Sequence, residues 1–427
     1  MKRFPDYKKL FSFIFLGFLL PALFVFAQTV QELESKIGQK NVDIDKLEVE
    51  IAKYQDELNA LGTQKSSLAR DIKQLDLTRK KLSADISVTE NKIEKTNLKI
   101  QELGFEIGDK EEIINTSVNA LKLDIKRTNE LELDSIPEKI LSQNRLADVW
   151  LDIDTMILVR DRIREKITEV KQVKIVLEDS RKQTTEARNE LALYKSELAD
   201  QKKIVDQNTS QKNKLLSQTK NSESAYQKLL KDRLAKKEAF EKELRAYEEQ
   251  LKFVLDPSKL PGKGTLSWPL DKIFVTQMFG KTSSSGRLYA SGTHSGVDFR
   301  AAVGTPVKSM ADGVVEATGD TDITCPGASF GKFVFIRYNN GLASAFGHLS
   351  LIKSTPGQKV SRGEVVGYSG NTGHSTGPHL HVTVYAGQAV KVQSRPSAAC
   401  GGKSYTMPVA ATNAYLDPMF YLPPYKQ

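Results

Sequence analysis

The stretch TGPHLHVTVY, residues 376–385, places two histidines one residue apart. Alternate side chains of a β-strand share a face, so His379 and His381 point the same way while Leu380 turns toward a core. A Gly-Pro turn, Gly377-Pro378, leads into them. The chain holds five histidines in 427 residues, and all of them fall between His294 and His381. A rare residue type confined to one stretch marks a site. Two histidines lining a polar face by chance is the competing reading, and the clustering argues against it.

Upstream lies GTHSGVDFR, residues 292–300, in which His294 and Asp298 are four apart. Gly296 and the surrounding Gly, Ser and Thr argue against a helix, so a loop running into a strand must bring the pair together. Alone, such a pair is a common surface feature. Two histidines and a carboxylate, with a fourth position open to water, make a catalytic zinc site. Asp298 supplies the carboxylate, and His294, His348, His379 and His381 are the imidazoles at hand. One ion cannot use all four and keep an open position, so two are left for proton transfer or oxyanion stabilisation. Zinc lowers the pKa of its bound water to about 7, and a neighbouring imidazole can take the proton.

The surrounding texture is one of short alternating runs split by Gly, Asn and Pro. KFVFIRYNNGLASAFGHL (332–349) is a hairpin pattern, with Asn340-Gly341 expected to form a tight primed turn. GTPVKSMADGVVEATG (304–319) and RGEVVGYSG (362–370) add further short strands. The C-terminal region is therefore expected to be all-β, in two packed or partly rolled sheets. Its two cysteines, Cys325 and Cys400, are either a disulfide or two unrelated small residues; secretion would make the bridge the expectation.

HSGVDF (294–299), GHLS (347–350) and GNTGHSTGPHLHVTV (370–384) resemble the lysostaphin-like (LytM-type) zinc metalloendopeptidases, which cut peptide bonds in bacterial peptidoglycan. LSWPL, TQMFG and LDPMFYL fit the same domain, and the resemblance covers about residues 265–425. It implies that His294, Asp298 and His381 bind one zinc, and that His348 and His379 form the catalytic pair. His374 falls where such domains vary and is read as a solvent-exposed loop residue. The segments around Cys325 and Cys400 are read as groove walls.

LDPSKLPGKG (255–264) separates this domain from a different texture. From Leu33 to Ile107 apolar residues recur in steps of three, four and seven, with no proline between Gln28 and Ile136. That period predicts one long coiled-coil helix, roughly 110 Å at ~1.5 Å per residue. Pro137 breaks the beat, and Trp150, Leu151, Ile153, Met156 and Ile157 make the bend denser in apolar groups than a two-stranded seam needs. Heptad-like steps resume, clearest at Phe240, Leu244, Tyr247, Leu251 and Val254. Two long helices joined by a compact turn region point to an antiparallel hairpin, with a parallel homodimer as the competing arrangement. ILSQNRLADVWLDIDTMI (140–157) resembles the bend of the EnvC-like cell-wall proteins, many of which have lost metal ligands and activate separate amidases.

The N-terminus has a basic start, an apolar run from Leu10 to Phe26, and small residues Val25 and Ala27 at the usual cleavage positions. It is expected to be a signal peptide, with a membrane anchor as the alternative; either places the remainder outside the cytoplasm. The formal charge of +9 is a weak surface preference for anions, because no nucleic-acid module accompanies it. The expected architecture is α+β multidomain: signal peptide 1–27, coiled coil 28–255 with a bend near 135–160, linker 256–264, zinc peptidase domain 265–427. Peptidoglycan is the expected partner, with a membrane protein complex docking on the coiled coil as a second. Two functions fit: a secreted zinc endopeptidase, or a non-catalytic activator of a separate amidase. The complete ligand set favours the first.

Overall fold

A computed structural model describes residues 11–62, 64, 66–132, 146–251, 253–281 and 292–425. Residues 1–10 of the expected signal peptide and 135–145 of the expected bend lie outside the described residues. Among the described residues four long helices come first: α1 (Phe11–Gly62), α2 (Leu68–Glu132), α3 (Leu146–Thr219) and α4 (Glu223–Gln250). The chain divides into two compact units, residues 1–46 with 88–197, and residues 47–87 with 198–427. Among the described residues no helix is long and apolar enough to cross a membrane.

The single helix expected from Leu33 to Ile107 is instead two. It ends at Gly62, and α2 starts after Ser67, whose hydroxyl accepts from the Arg70 amide at 3.2 Å as a helix N-cap. Gly62 and the run Ser66-Ser67 are weak in a helix interior and favourable at its ends. Leu61 and Leu68 stay seven apart and both are buried, which is why the heptad beat passes through the break undisturbed.

In the first unit Arg181 pairs with Glu111 at 2.7 Å, and the Ser180 hydroxyl donates to Glu106. Lys92 lies over the Tyr194 ring. Lower numbers on α2 face higher numbers on α3, so the strands of this coil are antiparallel and belong to one chain. Trp150, Leu151 and Leu158 are exposed on α3.

In the second unit the helix segments meet a β-domain. Its strands are β1 (Val275–Gln277), β2 (Val297–Arg300), β3 (Pro306–Lys308), β4 (Gly313–Asp320), β5 (Lys332–Tyr338), β6 (Leu342–Gly347) and β7 (Leu349–Ile352). They continue with β8 (Lys359–Val360), β9 (Val365–Ser369), β10 (His379–Ala386), β11 (Val390–Pro396), β12 (Ser404–Ala410) and β13 (Tyr415–Leu416). The main antiparallel sheet runs β1-β2-β10-β6-β5-β4-β8, with β13 also on β10; β3-β9-β7 and β11-β12 form smaller sheets. Val297, Phe299, Phe346, Leu380 and Val382 fill the core beneath it. The Asn340-Gly341 turn is not the primed two-residue type. Arg337 pairs with Ala343, and of the loop residues only Gly341 has positive φ, at 88°, so three residues close the hairpin with a left-handed glycine last.

Helix and β-domain touch at several places here. Leu82 and Ile204 bury against Tyr368, whose hydroxyl donates to Asp200 at 3.0 Å. Another is α4, whose late heptad-like run does not form a coiled-coil seam. Phe240 packs edge-on against Tyr405 at 4.8 Å, the Tyr247 hydroxyl donates to Gln393, and Arg395 stacks on the Tyr247 ring. Glu243 accepts from the Ser397 hydroxyl and the Ala399 amide. Phe253 and Leu255, at the end of the expected coiled coil, and Leu260 of the expected linker lie against the β-domain core.

Cys325 and Cys400 are bridged, with Cα atoms 5.3 Å apart across 75 residues. The bond ties the turn after β4 to the β11–β12 hairpin. In the chain-entropy picture such a closure contributes about 4 kcal/mol. The Cys325→Ser/Cys400→Ser protein is therefore expected to unfold at lower denaturant by that order. The unreduced, unfolded wild-type chain should show no titratable thiol; two thiols would contradict the bridge.

Candidate metal centre and its roof

β10 sits between β2 and β6 in the sheet, and its register sets His381 opposite Asp298 on one side and Gly347 on the other. His294 precedes β2 and is held by paired backbone hydrogen bonds with Gly280. Gly296 must be glycine, because a methyl there would stand 2.3 Å from the Val382 carbonyl oxygen and 2.9 Å from the His381 ring. His348 follows β6 with φ of 61°, a conformation that costs a non-glycine residue energy and recurs where a side chain must be aimed.

Three donor atoms converge. Asp298 Oδ1 lies 3.2 Å from His294 Nε2 and 2.8 Å from His381 Nδ1, and those two nitrogens are 3.1 Å apart. All three residues are buried. His294 Nδ1 stands 2.9 Å from the Met278 carbonyl, which can only accept, so Nδ1 carries the proton and Nε2 presents its lone pair. Burial alone would push the Asp298 carboxyl up; His294 and His381 hold it well below the usual carboxylate range. Burial pushes His381 down. Lone pairs aimed at one point repel unless a cation stands among them. Tetrahedral ligands at ~2.0–2.1 Å from zinc are about 3.3 Å apart, so the donor set fits that ion.

Two more imidazoles flank the trio. His348 Nδ1 stands 2.8 Å from the Thr372 carbonyl, and His379 Nδ1 stands 2.8 Å from the Gly377 carbonyl. By the same logic each turns Nε2 away from its anchor. The two rings are 4.6 Å apart, and His379 Nε2 is 3.7 Å from Asp298 Oδ1. Burial, then the neighbouring His379 and His381, push His348 well down, which favours its neutral imidazole. Every residue named from sequence for the site thus meets at one place.

His374 does not lie in an exposed loop. Its side chain is 14% exposed and stands 3.5 Å from Glu241 of α4. Burial, then Lys237, push it down to about 3. The physical reason is the helix: α4 lies across this side of the domain. Phe240, Glu241, Leu244, Arg245 and Glu248 of α4 line a cavity of about 410 Å³ together with His294, His348 and His381. Residues 240–248 were legible only as helix; nothing in their spacing named the groove as their partner.

Residues 292–393 match the profile of peptidase family M23. Residues 292–393 thus form a peptidase family M23 domain. The DD-carboxypeptidase/endopeptidase Mpg of Neisseria meningitidis is 43% identical over 88 residues, 21% of this chain and 19% of that protein. The peptidoglycan DD-endopeptidase ShyA of Vibrio cholerae is 46% identical over 88 residues, again 21% and 19%. The catalytic domain of lysostaphin from Staphylococcus simulans is 26% identical, covering 34% of this chain and 90% of that one, with a TM-score of 0.26. The chain spans about a fifth of the length of these curated relatives. The M23 domain carries the likeness; the long helices precede it.

Proposed function

We propose that this protein is an extracytoplasmic zinc metalloendopeptidase that hydrolyses peptide cross-links of peptidoglycan and is held in check by its own helical arm. The observation that carries the reading is the buried His294–Asp298–His381 trio with His348 and His379 beside it. His294 Nε2, Asp298 Oδ1 and His381 Nδ1 would hold one zinc, which supplies a Lewis acid and an acidified water. His348 and His379 then divide the proton work. One, neutral with Nε2 free, would accept the proton of the attacking water; the other, carrying a proton on both nitrogens as imidazolium, would donate from Nε2 to the oxygen of the scissile carbonyl. The Thr372 and Gly377 carbonyls keep both rings in the tautomer that leaves Nε2 for this task.

The roof carries the second half of the reading. With α4 in place a cross-linked peptide meets Phe240, Glu241 and Leu244 where it must lie against the site. Control thus acts by covering the groove, and a partner that pulls the helices away releases it.

The test uses the full chain on purified sacculi with separation of the released muropeptides. Cross-linked species should fall and monomers rise, slowly, with zinc present, and chelation should stop the reaction until zinc returns. A zinc-loaded protein inert alone, yet accelerating an added amidase, would overturn the enzyme reading in favour of an activator.

A further inference from the structure

The two imidazoles of the trio present opposite nitrogens. His294 faces it with Nε2 because Nδ1 donates to the Met278 carbonyl. His381 faces it with Nδ1, and its Nε2 stands 2.9 Å from the Thr383 hydroxyl oxygen. A neutral imidazole has one N–H. For His381 Nδ1 to offer a lone pair beside Asp298 Oδ1, that proton must sit on Nε2, where Thr383 Oγ1 can accept it.

Strand geometry puts Thr383 there. Residues 379, 381 and 383 of β10 share a face, so the alternation that aligns the two histidines delivers the threonine next. Thr383 is fully buried, which makes its hydroxyl a fixed partner rather than one of many water contacts. A flip of the ring about its Cβ–Cγ bond would put carbons, not nitrogens, at both places and so would lose the contacts to Asp298 and Thr383. Gly296 leaves no room on one side, with an added methyl there only 2.9 Å from the ring, and the Phe330 ring lies 5.9 Å away.

We propose that Thr383 is a positioning residue: its hydroxyl holds the His381 proton on Nε2 and so makes Nδ1 the metal-facing nitrogen. The proposal rests on the metal reading above and adds a residue to it. Hydrogen bonds to the outer nitrogen of a ligating histidine fix its tautomer, and their loss typically weakens metal binding by roughly 10–100-fold.

Thr383→Val keeps the β-branched shape and removes the acceptor. The proton then moves to Nδ1, against Asp298, where an incoming cation must displace it. Zinc affinity of the full chain, measured by competition with a chromophoric chelator, should fall roughly 10–100-fold in Thr383→Val and return most of the way in Thr383→Ser. Histidine nitrogen shifts of the zinc-loaded wild-type protein should show His381 protonated at Nε2 and ligated at Nδ1. That measurement needs no variant and decides the question if Thr383→Val does not fold. Unchanged zinc affinity in a folded Thr383→Val, or a His381 ligated through Nε2, overturns the assignment of Thr383 and leaves the metal reading standing. A wild-type chain that binds no zinc overturns both.

Discussion

Asp298→Ala and His381→Ala proteins will emerge without zinc and without hydrolysis, whereas His348→Ala will keep its zinc and lose hydrolysis by about 10²–10⁴-fold. The asymmetry follows from who touches whom. Asp298 Oδ1 is the atom common to the trio, within 3.2 Å of His294 Nε2 and 2.8 Å of His381 Nδ1. Removing it leaves two imidazoles and no anion to offset the charge of the ion, which a buried site cannot tolerate. His348 is different. Its ring meets the Thr372 carbonyl through Nδ1 and stacks near His379 at 4.6 Å, and none of its atoms belongs to the convergent set. Truncation removes a proton carrier and leaves the three donors as they were. Metal content and muropeptide release, measured on the same preparations, separate the two classes. A zinc-free His348→Ala beside a loaded Asp298→Ala would reverse the roles assigned here.

The site was legible because its signals are local and its residues scarce. An HxH in a strand can only place both imidazoles on one face, and β10 does so. Bringing His294, Asp298 and His348 to that face needs the sheet order β2-β10-β6, which comes from the domain resemblance and from no single spacing. What stayed hidden depends on partners. A heptad beat reports that one face of a helix is apolar, not what covers it. Hence the turn after Gly62 passed for continuous helix, and the run Phe240–Leu244–Tyr247 passed for a coiled-coil seam although it packs on the β11–β12 hairpin. His374 was misplaced for the same reason: its exposure is decided by α4, more than 120 residues upstream of it in sequence. Thr383 gave a signal that was there to read, the next position on the face of His379 and His381.

Loosening α4 is expected to raise, not lower, the activity of the full chain. Phe240 is 1% exposed, and its ring sits against Tyr405 in the cluster that joins helix to hairpin. Burying and then deleting such a ring costs about 3–5 kcal/mol. If most of that falls on docking, Phe240→Ala multiplies the undocked population by about 100-fold or more until it saturates, each 1.4 kcal/mol being about tenfold. Glu243→Ala, which forfeits the bonds to Ser397 and Ala399, should act in the same direction and more weakly. A lower rate in folded, zinc-matched Phe240→Ala would make α4 a substrate-binding wall; an equal rate would leave it a spacer. Glu248 adds a pH arm. Its carboxyl accepts from the Tyr415 hydroxyl, and burial pushes its pKa up to about 7, with Tyr415 and Arg245 opposing the shift. A raised carboxyl favours docking in its neutral form, so that contribution is complete below the ordinary value near 4.3 and is lost as pH rises through about 7. Full-chain hydrolysis should therefore climb more steeply between about pH 5 and pH 8 than that of Glu248→Gln, by at least about tenfold, because the amide stays neutral and docked throughout. Parallel pH profiles for the two proteins would remove Glu248 from the latch while leaving the Phe240 result to decide whether the roof restrains the enzyme.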